Sequence, residues 1–335
     1  MNIVGSVFGL DIVAGQSPPK FLEHPHVHFL NARSALLQCI ISLKYPNVWL
    51  PSYGCSAVSD ALRLFNIPIS YYPIDHRLQI SKSDWIGQIQ KNDVVVLIDY
   101  FGFEKSVWSE TIKRKGAIII EDACQSLLSS HVGQFVDYVI YSPRKFVGVP
   151  DCGILSFPNG KMRSIEQKDI PFDWWMKSLS VCSNRQLFDD QLFKTNHWFQ
   201  EYKDVENSMP IGNYKASEFS VSVLTSGTDW EFICRRRREN YLMLLEELEE
   251  VAIYKRLPYD VVPLGFPIIV EDRDRLQQAF FKEEIYPPIH WKINPELEKY
   301  NDSWYLSNHI LTLICDQRYG KDEMKRIISV MKGFV

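Results

Sequence analysis

Short apolar runs separated by polar turns set the rhythm of the first half of the chain. Residues 47–51, 68–74, 93–100, 117–120 and 138–141 each read as a strand, and 93–100 is the continuous apolar kind that a buried parallel strand shows. Between them the period lengthens. Residues 32–42 place Leu36, Leu37, Ile40 and Ile41 at helical spacing, and 105–115 reads as a further helix. Strands that alternate with helices up to residue 153 predict an α/β fold with a wound, mostly parallel sheet.

The second half has a different texture. Residues 160–210 carry Phe172, Trp174, Trp175, Phe188, Phe193, Trp198 and Phe199 in helical-looking pieces, which suits either a subunit interface or the wall of a substrate site. A long helix over 231–250, with Leu242, Leu244, Leu245 and Leu248 as its apolar stripe, opens a second unit. That unit continues through a strand at 264–270, a helix at 273–283, an apolar segment at 311–319 and a helix at 321–332. The chain therefore reads as a large domain over 1–229 and a small C-terminal α+β domain over 230–335.

Composition narrows the function classes. A chain of 335 residues that is 46% hydrophobic can bury a sizeable core, and a net charge of -4 creates no field that favours nucleic acid or an anionic membrane. A small molecule is the expected partner. Seven cysteines without a CxxC pair read as reduced thiols, which points to a cytoplasmic protein. The apolar stretch 3–10 lacks a basic flank and is soon interrupted by Asp11, so no targeting segment and no membrane span are expected. His24, His26 and His28 alternate, yet no fourth ligand follows at a useful spacing, and no metal is expected. Arg235 to Arg238 point in four directions on a helix and read as a solvated or salt-bridged surface.

The chemistry lies in 117–153. The first strand there delivers Glu121-Asp122, with Gln125 three residues later, and the second delivers Ser142-Pro143-Arg144-Lys145. Strand carboxyl ends carry the ligand site in open parallel sheets, so the two sets converge. A lysine, a carboxylate and a hydroxyl in one place suit pyridoxal phosphate (PLP), which needs a Schiff-base lysine, a carboxylate at its ring nitrogen and donors for its phosphate. Lys145, Asp122 and Ser142 supply these.

The segments EDACQS, SPRK and VPDCG resemble the DegT/DnrJ/EryC1/StrS family of nucleotide-sugar aminotransferases. The resemblance implies the PLP-dependent transferase fold of type I and an enzyme that moves an amino group from an amino acid, commonly glutamate, to a keto sugar that is nucleotide-linked. It also implies roles for residues. Asp122 and Gln125 would hold the pyridine ring and Lys145 the aldehyde; Arg33, Ser34 and Ser142 would contact the phosphate. The family's ring-stacking aromatic falls at Cys55 here, so either the thiol replaces it or the neighbouring Tyr53 takes over. Asn213 and Lys215 would complete the phosphate site of a partner subunit in a homodimer with shared active sites. His290 would lie at the substrate cleft, with a structural buried histidine as the other reading. Within the same fold a lyase or dehydratase is a rival, against which Lys145 argues because the dehydratase branch replaces that lysine. A non-catalytic binding relative is the second rival.

Overall fold

The computed structural model describes residues 3–13, 15, 18–43, 47–103, 107–160, 165–193 and 197–334. Its strands are β1 (Val4–Gly5), β2 (His26–Phe29), β3 (Val48–Pro51), β4 (Ile69–Tyr72), β5 (Val94–Ile98), β6 (Ile118–Asp122), β7 (Tyr138–Tyr141), β8 (Gly153–Ser156), β9 (Phe266–Ile269), β10 (Ile285–Tyr286) and β11 (Ile310–Leu313). The α-helices are α1 (Ala32–Leu43), α2 (Ser56–Leu64), α3 (Ser109–Arg114), α4 (Phe172–Asp189), α5 (His197–Asn207), α6 (Glu218–Ser226), α7 (Trp230–Leu248), α8 (Arg273–Lys282), α9 (Asn301–His309) and α10 (Lys321–Phe334).

Seven strands form the main sheet in the order β2-β8-β7-β6-β5-β3-β4. Every neighbouring pair from β7 through β4 is parallel, and β8 runs antiparallel to both β7 and β2. Because β5, β6 and β7 are parallel neighbours, their carboxyl ends emerge at one edge, and Ile98 pairs with Asp122, which in turn pairs with Ile140. Side chains alternate across the sheet. Val95, Leu97 and Ile119 join the core on one face, while Val94, Val96 and Ile120 join the core on the other. This is the wound α/β fold expected from the sequence.

A third core belongs to the C-terminal elements. It gathers Tyr241, Leu244, Phe266, Leu276, Leu311 and Met324, and it also takes in Val4. The N-terminal strand β1 pairs in parallel with β10, so the start of the chain is stitched to elements at its far end. Along α7 the buried positions include Ile233, Arg237, Tyr241, Leu244 and Leu248, spaced three or four apart, with Trp230 and Asn240 buried beside them. The expected stripe was partly misplaced: Leu242 is 49% exposed, and Arg237 is buried rather than on a solvated surface. The expected helix start at 105 lies outside the described residues.

The aromatic-rich region folds as the pair α4 and α5. Trp174, Val181, Val205 and Met209 pack with Leu30 there as a small separate cluster. A polar knot ties the following segment to the turn after Pro150. Asp151, with no exposed surface, accepts hydrogen bonds from the Ser217 N–H and the Ser217 hydroxyl, each at 2.6 Å, and from the Ser220 hydroxyl. Ser217 in turn caps α6 through the Ser220 N–H at 3.1 Å. Removing the carboxylate by Asp151→Ala leaves these donors buried without an acceptor, which costs about 2–4 kcal/mol. Urea unfolding is expected to show a midpoint lowered accordingly at an unchanged slope.

Candidate active site

The strand ends of β6 and β7 open into a cleft of about 560 Å³ whose walls include Asp122, Gln125, Ser142, Lys145, Cys55 and Arg33. Asp122 closes β6, and its Oδ1 accepts the Cys124 N–H at 3.0 Å, which fixes the carboxylate and leaves Oδ2 for a ligand. Gln125 is buried beside it. Its Oε1 accepts the Phe101 N–H at 3.0 Å, and since only the carbonyl end of an amide can accept, Nε2 must be the other end. That Nε2 is buried and has no hydrogen-bond partner. A buried orphan donor in a cleft is costly unless a ligand atom receives it.

Lys145 ends a single 3-10 turn, Pro143–Lys145, that follows β7 directly. Proline suits the first position of such a turn, where its missing N–H would have no partner. The ammonium shapes its neighbours. His290 also lines the cleft, and burial, aided by the charge of Lys145, lowers its pKa to about 3. His290 is thus a neutral imidazole, with Nδ1 at 3.0 Å from the Thr312 hydroxyl. Burial pushes the Cys124 thiol well above its ordinary value, so Cys124 is a thiol and not a thiolate.

At the other end of the cleft lies the start of α1. Asn31 caps this helix, its Oδ1 accepting the Ser34 N–H at 2.9 Å, and Ala32 and Arg33 in the first turn face the cleft. Free N–H groups at a helix start favour an anion. Arg33 donates to the thioether of Met209 at 2.8 Å, a weak acceptor that leaves the guanidinium available. Arg144 reaches the same sulfur at 3.6 Å and pairs with Glu206 at 2.5 Å. The Glu206 carboxylate outweighs burial and raises the Arg144 pKa.

Several expected residues stand elsewhere. Ser34 is fully buried and its hydroxyl accepts the Gly212 N–H at 3.2 Å, so it braces α1 against the 212 turn and does not face the cleft. Tyr53 is also fully buried. Its hydroxyl donates to the His290 carbonyl and accepts the Trp291 N–H at 2.7 Å, while its ring packs between Tyr100 and Trp291. Tyr53 therefore supports the wall from behind; Cys55 and Trp291 face the cleft. Asn213, half-buried, donates to the Glu166 carbonyl, and the exposed Lys215 pairs with Asp169 at 2.8 Å, both outside this cleft. Sequence reading gave no role to Arg144 or Glu206 and took Arg237 for surface. Arg144 lay inside the Ser142-Lys145 motif and was the one signal at hand.

No protein-family model and no curated protein matches this sequence. Solved structures do. A DegT/DnrJ/EryC1/StrS aminotransferase from Brucella abortus is 18% identical, with 94% of this chain and 87% of that one covered at a TM-score of 0.63. The PLP form of Spr1654 from Streptococcus pneumoniae, described as a sugar aminotransferase, is 13% identical over 94% of this chain and 89% of that one, with a TM-score of 0.67. DesI, solved in the presence of its TDP-sugar product, is 14% identical over 92% and 79% with a TM-score of 0.64. The fold of this chain is the type I PLP-dependent transferase fold that its strand-end motifs imply.

Proposed function

We propose that this protein is a PLP-dependent aminotransferase that moves an amino group from an amino acid, L-glutamate by the family resemblance, to a keto sugar carried on a nucleotide. The observation that carries the reading is the convergence of Lys145, Asp122 and the orphan Nε2 of Gln125 in one cleft. The donor set fits the cofactor: an amine for its aldehyde, a carboxylate for its ring nitrogen, an amide donor for its ring hydroxyl, and Arg33 with the start of α1 for its phosphate. Spr1654 has been solved in its PLP form and DesI with a TDP-sugar product, and the shared fold brings both to bear on this chain.

The residues divide the work. When bound, PLP supplies an electron sink for the pair left behind when a substrate C–H bond breaks. Lys145 Nζ would hold the cofactor through its aldehyde and, once freed by a substrate amine, would carry the proton between the substrate carbon and the cofactor. Asp122 would keep the ring nitrogen protonated. Trp291 and His290 form the wall on the substrate side, and the neutral imidazole contributes a hydrogen bond without adding charge. Lys145, which a dehydratase would lack, supports transamination over that rival.

The active unit in this reading is a cytoplasmic homodimer built from a large domain (1–229) and a small one (230–335), in which Asn213 and Lys215 reach the phosphate of the partner subunit. Their position outside the chain's own cleft, with Lys215 exposed and part of the Phe29–Lys215 bridge, supports that role. Among the described residues no helix is long and apolar enough to cross a membrane.

Addition of PLP to the purified protein is expected to give a visible absorbance that L-glutamate bleaches, and Lys145→Ala is expected to abolish turnover without unfolding the chain. A wild type that stays colourless at saturating cofactor rules the reading out. Asp122→Asn should bind PLP yet transaminate at least ~100-fold more slowly, because the carboxylate that keeps the ring nitrogen protonated, and so able to take up the developing negative charge, is gone; steady-state rates within a few fold of wild type would remove Asp122 from that role. For the shared site, an inactive Lys145→Ala chain mixed with an inactive Lys215→Glu chain is expected to recover activity, since some heterodimers keep one intact site. Mixtures that stay inactive after proven subunit exchange contradict it.

A further inference from the structure

Arg237 is the least expected feature of the cleft. It lies on α7 with no exposed surface, lines the same cavity as Lys145, and stacks its guanidinium over Phe146 at 4.5 Å. Most of its donors are used. Nε donates to Gln317 Oε1 at 2.8 Å, and Nη1 to the carbonyls of Pro263 and Leu264 at 3.2 and 3.0 Å. Nη2 is buried and has no partner.

The neighbouring arginine makes the contrast. Arg318 donates Nε and Nη2 to the two oxygens of Asp316, both at 2.9 Å, and Nη1 to the Val7 carbonyl at 2.9 Å. Asp316 is thus committed to Arg318, and the hydrogen bonds of Arg237 go to neutral partners. A buried cation that lacks a paired anion is costly, and a fixed donor aimed into a cleft is where a ligand's anion repays that cost. Arg237 is also anchored to the catalytic turn. Gln317, which holds its Nε, donates Nε2 to the carbonyl of Phe146, the residue after Lys145, at 2.5 Å.

We propose that Nη2 of Arg237 binds the carboxylate of the amino-acid donor, placing the donor's amine at Lys145. This assignment rests on the aminotransferase reading. The closed position of Arg237 selects the carboxylate. A carboxylate is a terminus and can end in a sealed corner, whereas the diphosphate of a nucleotide sugar must lead onward at both ends, to a sugar and to a nucleoside.

Calorimetric titration of the full chain with glutarate and with thymidine diphosphate tests this. Arg237→Gln is expected to weaken glutarate about 10- to 100-fold and leave the nucleotide unchanged, the loss of one charge-assisted hydrogen bond. Arg237→Lys, which keeps the buried cation, is expected to lose less and serves as the folded variant if circular dichroism shows the glutamine form unfolded. Equal glutarate affinity in a folded variant, no glutarate binding to wild type, or a loss confined to the nucleotide overturns the assignment. PLP absorbance, measured in parallel, separates the two readings. Arg237-dependent glutarate binding in a chain that never takes up PLP would sink the aminotransferase reading and keep the carboxylate site.

Discussion

Positive charge in a desolvated cleft is the constraint around which this molecule is arranged. Arg33, Arg144, Lys145, Arg237 and Arg318 line one cavity, and the carboxylates that share it are Asp122, Glu206 and Asp316. Burying cations without partners costs several kcal/mol each, so the protein pairs those it can. Glu206 takes Arg144 and Asp316 takes Arg318. Arg33 rests on a thioether and Arg237 on neutral oxygens. The cleft is prepared for ligands that bring negative charge, which the phosphate of a cofactor and the carboxylate of an amino acid both do.

The fold makes this arrangement affordable by supplying rigid walls. Parallel strands β5, β6 and β7 deliver their polar ends to one edge, while α7, β10, β11 and the N-terminal strand also line the cleft. Tyr53 shows how the two sides are coupled. It comes from the turn before α2, and its hydroxyl fixes the backbone of His290 and Trp291, more than two hundred residues later, from a position with no solvent contact. Arg318 does the same for the N-terminal arm, through the carbonyls of Ser6 and Val7.

What the sequence revealed, and what it hid, follow from the same physics. Asp122 and Lys145 were legible because a buried parallel strand is an uninterrupted apolar run, and a charged residue at its end stands out against that background. Gln125 was legible by its spacing from Asp122. Arg237 was not, because four arginines in a row look like surface, and only the tertiary packing of Phe146 against α7 turns one of them inward. Glu206 sits in the least patterned region, 62 residues from the arginine it neutralises. At α1 Asn31 does the capping, and Ser34, two residues into the helix, faces inward. The choice between Tyr53 and Cys55 stayed open in the sequence because spacing gives the neighbourhood of a turn but not the side on which each side chain emerges; Cys55 is the one that lines the cleft.

The central claim is that Lys145 is the residue that holds the cofactor. PLP-loaded protein reduced with borohydride, digested and mapped by mass spectrometry tests it directly. The account predicts a single pyridoxyl label on the peptide that contains Lys145; a label on another lysine, or visible absorbance with no label at all, would contradict it.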